Sequence, residues 1–342
     1  MYVLGIETSC DETAAAVLSA DESSCRIASE LLSSQSKVHE LYGGVVPELA
    51  AREHMAALPI LTSEVLAAAG ITLQKVEAIA VSRGPGLRGC LLMGLNFAKG
   101  LSLARNIPLV SINHIEAHLL APMLDNSSLD FPFLALVVSG GHTELHLVTG
   151  VGEYQPISRT IDDAAGEAFD KSANLLGFSY PGGASLAALA DTVQKSRFKL
   201  PLVMRESEGF SFSGLKTAIA LLIKENQSNL SDEAIRAELA YAVQRAIVDA
   251  LIFKVKQALE RTRVKKLVIT GGVSANRALR NAAIAIPGIN VFFPIQEHCT
   301  DNAAMVAYLG WRRFVGGERS HAGEPVMDRW PVESMRPPQN ER

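Results

Sequence analysis

The same local pattern, two apolar strands joined by a short polar turn, occurs near the start of each half of this chain. In the first copy, an apolar strand over residues 2–6 leads through a polar turn into a second strand over 14–18. In the second copy, strands over 133–138 and 145–148 flank another short polar turn. A strand pair that recurs at such long spacing indicates an internal duplication. The repeat therefore predicts two related lobes.

Strands alternate with helices along the rest of the chain, which predicts an α/β fold. The polar, turn-rich stretch 125–132 is the expected lobe boundary. We expect an N-terminal lobe over 1–128, completed by the C-terminal helical segment 302–330, and a C-terminal lobe over 131–300 with a helical insertion. Helices are predicted, among other places, over 47–69, 90–104, 164–176, 184–195 and 232–262.

The composition is that of a soluble globular protein, with 48% hydrophobic and 20% charged residues among 342. The net charge of −4 gives no overall field that would hold a nucleic acid, so a local basic patch or a partner would have to supply the attraction.

The four cysteines lack metal-ligand spacing, which is typical of reduced thiols in the cytosol. With no apparent leader and no membrane-spanning apolar run, we expect a cytoplasmic protein that does not enter a membrane.

The sequence His114-Ile115-Glu116-Ala117-His118 places two imidazoles four residues apart on a predicted helix. Side chains at this spacing lie on one face of a helix and can bind one metal ion together. A zinc protease of the related pattern has Glu directly after the first His, where it acts as general base. Here Ile115 holds that position, and Glu116 is turned by about 100° around the helix. The pattern indicates a metal pair without the hydrolytic base.

Spacing alone leaves open whether the two histidines bind a metal ion or only pack in the core. A third ligand is available in Asp301, at the start of a predicted helix, although that residue could equally be an N-cap. Two His and one carboxylate with open positions would suit iron or zinc that holds a substrate oxygen.

Three glycine pairs follow strands or precede helices, at Gly140-Gly141, Gly182-Gly183 and Gly271-Gly272. Glycines allow a ligand to approach the backbone, and the helix start after the third pair offers free N–H groups to an anion. Each pair alone could be a tight turn, and Asn276 could simply cap its helix.

The segment Gly84-Pro85-Gly86-Leu87-Arg88-Gly89 matches the dinucleotide-binding fingerprint. The next strand lacks the acidic residue that would bind a ribose, so we reject a dinucleotide-binding site here.

Two acidic clusters also stand out. In the first polar turn, Asp11 would point towards the other lobe if the lobes face each other, whereas Glu12 is expected to be solvated. In the second cluster, Asp162 or Asp163 could cap the helix that follows. Asp170 lies inside an Ala-rich helix and is harder to explain structurally.

Together these motifs resemble the TsaD family of tRNA N6-adenosine threonylcarbamoyltransferases, from about Tyr2 to Pro331. The resemblance is carried by eight segments: Gly5–Thr13, Tyr42–Glu48, His114–His118, Val138–Thr143, Asp162–Lys171, Phe210–Lys216, Gly271–Asn276 and Thr300–Asn302. Departures are small, with Ala117 where many members have Gly and Arg88-Gly89-Cys90 in place of a more apolar stretch.

The resemblance implies a fold and a set of site residues. The fold is the two-lobed α/β fold shared by actin-like ATPases, sugar kinases and heat-shock chaperones, with an RNase H-like sheet in each lobe and the ligand between the lobes. Asp11 corresponds to an acidic residue that assists the transfer. The implied metal ligands are His114, His118 and Asp301. The implied adenylate-binding positions are Val137, Val138, Ser139, Gly140, Gly141, Asp170, Gly183 and Asn276.

The implied reaction moves the threonylcarbamoyl group from threonylcarbamoyl-AMP to N6 of the adenosine just 3′ of the anticodon (position 37), in tRNAs reading codons that begin with A. The implied cofactor is one divalent metal ion, with Fe²⁺ favoured over Zn²⁺ or Mg²⁺. The implied partners are tRNA, a TsaB-like paralogue and a TsaE-like ATPase. Two alternatives share the fold, namely an ATP-dependent small-molecule kinase and a nucleotide-switched scaffold protein.

Overall fold

The computed structural model describes residues 1–21, 24–201 and 209–339. The chain forms two compact units. The first comprises Met1–Asp130, Thr149–Tyr154 and Thr300–Arg342, and the second comprises Phe131–Val148 and Gln155–Cys299. Among the described residues, none of the helices combines the length and the apolar character that crossing a membrane requires.

Ten strands and ten α-helices are described in the chain. The strands are β1 Tyr2–Glu7, β2 Glu12–Ala20, β3 Cys25–Ser34, β4 Ala78–Gly84, β5 Leu109–Asn113, β6 Phe133–Val138, β7 Thr143–Gly150, β8 Glu153–Arg159, β9 Lys266–Thr270 and β10 Asn290–Phe292. The helices are α1 Ser36–Glu40, α2 Pro47–Ala68, α3 Arg88–Arg105, α4 His114–Asp125, α5 Ala165–Leu175, α6 Gly183–Ala190, α7 Ser213–Glu225, α8 Glu233–Thr262, α9 Arg277–Ile284 and α10 Ala303–Val315.

The sheet of the first unit has the strand order β3-β2-β1-β4-β5. β1 pairs antiparallel with β2 and parallel with β4, so the predicted hairpin is present. Alternate residues of these strands contact different layers, because successive side chains point to opposite faces. Leu4, Ile6 and Val17 pack with α2 and α3, whereas Ala14 and Ala16 pack with the start of α10. The sheet is therefore buried on both faces, which explains its almost uninterrupted apolar strands.

The sheet of the second unit has the order β10-β9-β6-β7-β8. β6 pairs antiparallel with β7 and parallel with β9, as β1 does with β2 and β4. The second predicted hairpin is therefore also present, and the two sheets share one topology. The long helix α8 supplies much of the apolar core of this unit, with residues such as Leu239, Val243 and Leu251 fully buried.

The strands β3 and β8 were not expected from the sequence. Both lie at the edge of their sheets, and β3 alternates exposed with partly buried residues instead of presenting an apolar run. β8 even contains Pro156, which an edge strand tolerates because one of its sides makes no ladder hydrogen bonds. Helix α6 ends at Ala190, earlier than the predicted 195.

Helix α10 approaches the first sheet closely at Gly5. A Cβ at this position would lie 2.4 Å from the carbonyl oxygen of Ala303 and 2.7 Å from the backbone nitrogen of Ala307. Backbone atoms cannot move aside cheaply, so we expect Gly5→Val to lower the free energy of unfolding by about 3 kcal/mol or more. Urea unfolding of the purified chain measures this. In the matched control Gly100→Ala, on the open side of α3, we expect a small gain of up to about 1 kcal/mol. Equal stability of Gly5→Val and the wild type would contradict the close contact.

Candidate metal centre and glycine loops

His114 and His118 lie in the first two turns of α4, which follows β5 without a loop. Asn113 is the last residue of β5 and caps α4, because its Oδ1 accepts hydrogen bonds from the N–H groups of Ile115 (3.0 Å) and Glu116 (3.1 Å). Strand β5 lies at the edge of the sheet beside β4, and all five of its residues are buried. The position of His114 is thus fixed by a rigid strand end, which is how precise sites are built.

His114, His118 and Asp301 come together. His118 Nε2 lies 2.9 Å and His114 Nε2 3.5 Å from the same oxygen, Oδ1 of Asp301. One ligand atom from each of the three residues lies within 4.8 Å of the others. Asp301 does not cap α10, since it is the next residue, Asn302, whose Oδ1 accepts the N–H of Met305 at 2.9 Å. The capping explanation for Asp301 is therefore wrong, and its carboxylate is directed at the histidines.

Glu7 lies behind the cluster and contacts the other nitrogen of His114. This fully buried carboxylate has Oε2 at 3.1 Å from His114 Nδ1. Its remaining contacts come from the Ser9 N–H, 2.5 Å from Oε1, and from the Ser82 hydroxyl, which donates to Oε2. A carboxylate on the far nitrogen of a histidine is the usual arrangement around metal-binding histidines, because it fixes the tautomer and the ring orientation.

His114 lies between two carboxylates, Glu7 and Asp301. Burial opposes protonation of His114, but Asp301 and Glu7 on either side outweigh it and hold its pKa well above the ordinary value. Burial likewise opposes ionisation of Asp301, but the two histidines hold its pKa well below the ordinary value. Two carboxylates, Glu7 and Asp301, lie around the imidazole nitrogens in this compact cluster, which suits a cation. Within the part of the chain that the structure describes, His118 Nδ1 is buried without a hydrogen-bond partner.

The loop that carries Asp11 is held through its backbone. The Leu87 N–H donates to the Ser9 carbonyl at 2.8 Å, and the Gln35 N–H donates to the Asp11 carbonyl at 3.1 Å. Between them, His54 Nε2 lies 2.9 Å from the Cys10 carbonyl. The half-buried Asp11 side chain is therefore presented by a fixed main chain.

His54 anchors this loop from α2 as a buried, neutral group. Its Nε2 faces a carbonyl and so must carry the proton, and its Nδ1 lies 2.7 Å from the Thr13 hydroxyl and 3.3 Å from Gln35 Nε2. Burial lowers the pKa of His54, which agrees with a neutral ring. The sequence offered no signal for this residue, because its partners lie up to 44 positions away.

Glu12 differs from its expected role. It is half-buried instead of solvated. Burial, with the charges of Asp301 and Asp11 nearby, raises the pKa of Glu12 to about 9. Glu12 therefore belongs to the acidic surroundings of the candidate metal centre.

In the second unit, two of the glycine loops lie at the same edge of the sheet. Val137 pairs with Thr270, so the turn after β6 and the loop after β9 both follow the carboxyl ends of neighbouring parallel strands. A Cβ at Gly140 or Gly141 would meet none of the described atoms within 4 Å, so this backbone is open to a ligand. Gly271 has φ +89° and lies against the Val138 carbonyl, which a side chain would hit at 2.5 Å. Gly271 therefore needs glycine, and the turn at Gly140-Gly141 leaves main-chain groups accessible.

Asp170 and Gly183 contact each other directly. Oδ1 of Asp170 accepts the N–H groups of Gly182 at 3.0 Å and Gly183 at 2.8 Å. Burial raises the pKa of Asp170, although these two amides oppose the shift. The helix that carries Asp170, α5, begins beside the first glycine turn, since the Gly166 N–H donates to the Ser139 carbonyl at 3.1 Å.

Asn276 caps a helix, which is the structural alternative that the sequence left open for it. Its Oδ1 caps α9 by accepting the Leu279 N–H at 2.9 Å, and its Nδ2 donates to Gln244 Oε1 at 2.8 Å.

Asp162, by contrast, does not cap the helix that follows it. It accepts hydrogen bonds from the Phe212 N–H and the hydroxyls of Ser211 and Ser213, at the start of α7. Burial opposes its ionisation, but these donors prevail and lower the pKa of Asp162 to about 2.

Solved structures of similar fold cover nearly the whole chain. Component A of (R)-2-hydroxyglutaryl-CoA dehydratase from Acidaminococcus fermentans is 17% identical with a TM-score of 0.57, over 92% of this chain and 99% of that one. The activator of 2-hydroxyisocaproyl-CoA dehydratase from Clostridium difficile, solved with bound ADPNP, is 13% identical with a TM-score of 0.55, over 94% and 99%. HypF from T. kodakarensis is 15% identical with a TM-score of 0.60, over 92% of this chain and 47% of its own. The predicted α/β fold of the actin-like ATPase class is thereby confirmed.

A family model described as TsaD, tRNA N6-adenosine threonylcarbamoyltransferase, matches residues 26–308. This match spans well over half of the chain and includes both histidines, Asp301 and the glycine loops. The chain belongs to the TsaD family of tRNA N6-adenosine threonylcarbamoyltransferases.

Proposed function

We propose that this chain transfers the threonylcarbamoyl group from threonylcarbamoyl-AMP to N6 of the adenosine just 3′ of the anticodon, in tRNAs reading codons that begin with A. The observation that carries the proposal is the cluster of His114, His118 and Asp301, with Glu7 behind it and the Asp11 loop in the same unit. Such a set of donors suits a cation, and a bound cation can stabilise the charge that develops in a group transfer.

The chemistry is an acyl-type transfer. The N6 amine attacks the carbamoyl carbon, a C–N bond forms, and the bond from that carbon to the phosphate oxygen breaks, so that AMP leaves. The amine loses one proton in this step. Asp11 lies on a loop whose backbone is held by hydrogen bonds, and we assign to its carboxyl group the orientation of the amine and the acceptance of that proton.

The metal centre serves the donor. His114, His118 and Asp301 would hold the ion, and Glu7 would orient His114. When bound, the ion supplies electrostatic stabilisation of the donor's oxygens as AMP departs. Two imidazole nitrogens and one carboxylate favour Fe²⁺ or Zn²⁺ over Mg²⁺, which prefers a shell of oxygens, and within this pair we keep Fe²⁺ as the expected ion.

The second unit supplies the adenylate site in this proposal. The open main chain at Ser139, Gly140 and Gly141 suits close approach of a phosphate or ribose. Asp170, held by the amides of the Gly182-Gly183 pair, is a candidate partner for ribose hydroxyls. One protein of similar fold, the Clostridium difficile activator, was solved with bound ADPNP, an adenine nucleotide analogue.

Partners are part of the proposal. A net charge of −4 gives this chain no general attraction for tRNA, so we infer that the tRNA is held with the help of a TsaB-like paralogue and a TsaE-like ATPase.

A transfer assay with mass-spectrometric detection of N6-threonylcarbamoyladenosine tests the proposal. The purified chain and both partners are incubated with threonylcarbamoyl-AMP and tRNA. We expect one AMP released per modified nucleoside, and no product with a tRNA that carries guanosine at the target position. A chelator-insensitive phosphorylation of a metabolite would favour the kinase alternative instead. Nucleotide-dependent partner affinity without any modified nucleoside would favour the scaffold.

A further inference from the structure

Glu116 lies between the two histidines in sequence but takes no part in their cluster. The carboxylate is fully buried, and Arg313 near the end of α10 is only 1% exposed. Arg313 Nε donates to Glu116 Oε2 at 2.9 Å, and Nη2 donates to Oε1. The Tyr154 hydroxyl donates to the same Oε1 at 2.7 Å. We call Glu116, Tyr154 and Arg313 the α4–α10 clamp.

Both carboxylate oxygens of Glu116 are occupied by hydrogen-bond donors of the clamp, so Glu116 cannot act as a general base. Both carboxylate oxygens accept hydrogen bonds from Arg313, in the bidentate geometry that gives arginine–carboxylate pairs their directional precision. Tyr154 is held in turn, because the Gly152 N–H donates to its oxygen at 3.0 Å. Arg313 Nη1 is paired with Glu318 at 2.5 Å. Such a complete network permits only one arrangement of its members.

The clamp and the metal ligands lie on opposite sides of α4. Two positions along a helix correspond to a turn of about 200°, so Glu116 points away from His114. Asp301 and Arg313 are separated along the axis of α10, because Asp301 precedes the helix and Arg313 follows its first residue, Ala303, by ten positions, or about 15 Å of helix. Asp301, just before the first turn of α10, therefore contacts the side of α4 that carries the histidines. Arg313, in the last turn of α10, contacts the opposite side of α4 at Glu116.

We propose that the α4–α10 clamp is a positioning device for the metal ligands. It fixes the C-terminal end of α10 against α4 and so sets where the opposite end, with Asp301, meets the two histidines. The inference rests on the metal centre of the proposed function and gives Glu116 a role that its place within the His114–His118 motif did not predict. Glu116 is a positioning residue here, because it acts through the helices and touches neither metal nor substrate.

The affinity of the metal-free full chain for Zn²⁺, measured by competition with a chromophoric chelator, tests the clamp without reference to activity. Arg313→Lys keeps the charge but removes the bidentate contact, and we expect it to raise the Kd for Zn²⁺ by about 10-fold, at the lower limit of the effect of losing an outer-shell partner. Tyr154→Phe removes one hydroxyl, and a smaller increase in the same direction is expected.

A double variant separates positioning from stability. Removing either charge alone leaves the other buried and unpaired, which can unfold the protein, whereas replacing a buried pair by apolar residues is often neutral. We expect Glu116→Leu combined with Arg313→Met to unfold at nearly the wild-type temperature and still to bind Zn²⁺ about 10-fold more weakly. The control Val65→Ala, in α2 on the opposite face of the sheet, should lose stability and keep wild-type affinity.

Two outcomes would overturn the inference. Wild-type Zn²⁺ affinity in both Arg313→Lys and the double variant would show that the clamp only stabilises the fold. Failure of the wild-type chain to bind Zn²⁺ would remove the metal centre itself, and with it the part of the proposed function on which the clamp depends.

Discussion

A His118→Ala variant is expected to lose its bound metal ion and to transfer threonylcarbamoyl groups at least about 10²-fold more slowly, since several kcal/mol of charge stabilisation would be lost. His118 is buried at 2% exposure, and its Nε2 lies 2.9 Å from Asp301. Alanine would leave one histidine and one carboxylate, which is too few ligands for a tight site. Metal analysis of the purified variant and the mass-spectrometric transfer assay measure the two effects.

The matched control is His146→Ala. His146 is also a fully buried histidine, but it lies in β7 of the second unit and pairs with Glu144 at 2.8 Å. Its loss should leave the metal content at the wild-type value. A His118→Ala protein with wild-type metal content and wild-type transfer rate would contradict the assignment of this residue as a ligand.

Asp11→Asn is expected to lower kcat for transfer by about 10²–10⁴-fold, the range that a positioned acid or base contributes. The change keeps the size of the side chain and removes its charge and its ability to accept a proton. The backbone of this loop is held by hydrogen bonds from Leu87, Gln35 and His54, so the variant should keep its fold. Metal content should also stay unchanged, because Asp11 does not belong to the ligand cluster.

Measuring kcat together with metal content separates this prediction from the first one. Glu64→Gln, an exposed carboxylate in the last turns of α2, is the control for a simple change of net charge and should leave kcat unaltered. If Asp11→Asn has the kcat of the wild type, the proposed role of Asp11 in the transfer is wrong.

The parts of the fold that were predictable are those that repeat or that carry local periodicity. The strand pairs β1–β2 and β6–β7 could be predicted because each consists of two apolar runs joined by a polar turn. The strands β3 and β8 were missed because both are only partly buried and each pairs with a single neighbouring strand, so neither is a continuous apolar run. Sequence periodicity indicates burial, and it carries little signal where a strand is mostly exposed.

The candidate site was predictable to the extent that its residues are neighbours in sequence. His114 and His118 share a helix face, so their spacing alone suggested a pair. Asp301 is 183 positions from His118, so the residues alone left it open whether Asp301 is a ligand or an N-cap, and the resemblance to a family favoured the ligand. The contact of Glu7 with His114 spans 107 positions and leaves no local pattern. The Glu116–Arg313 pair, 197 positions apart, was invisible for the same reason.

The most direct test of the account is a titration of metal into chelator-treated protein during the transfer assay, with both partners, threonylcarbamoyl-AMP and tRNA present. We predict no modified adenosine without metal, a linear rise as Fe²⁺ is added, and a plateau at one ion per chain, with His118→Ala inactive throughout. Full transfer activity in the metal-free protein would contradict the account.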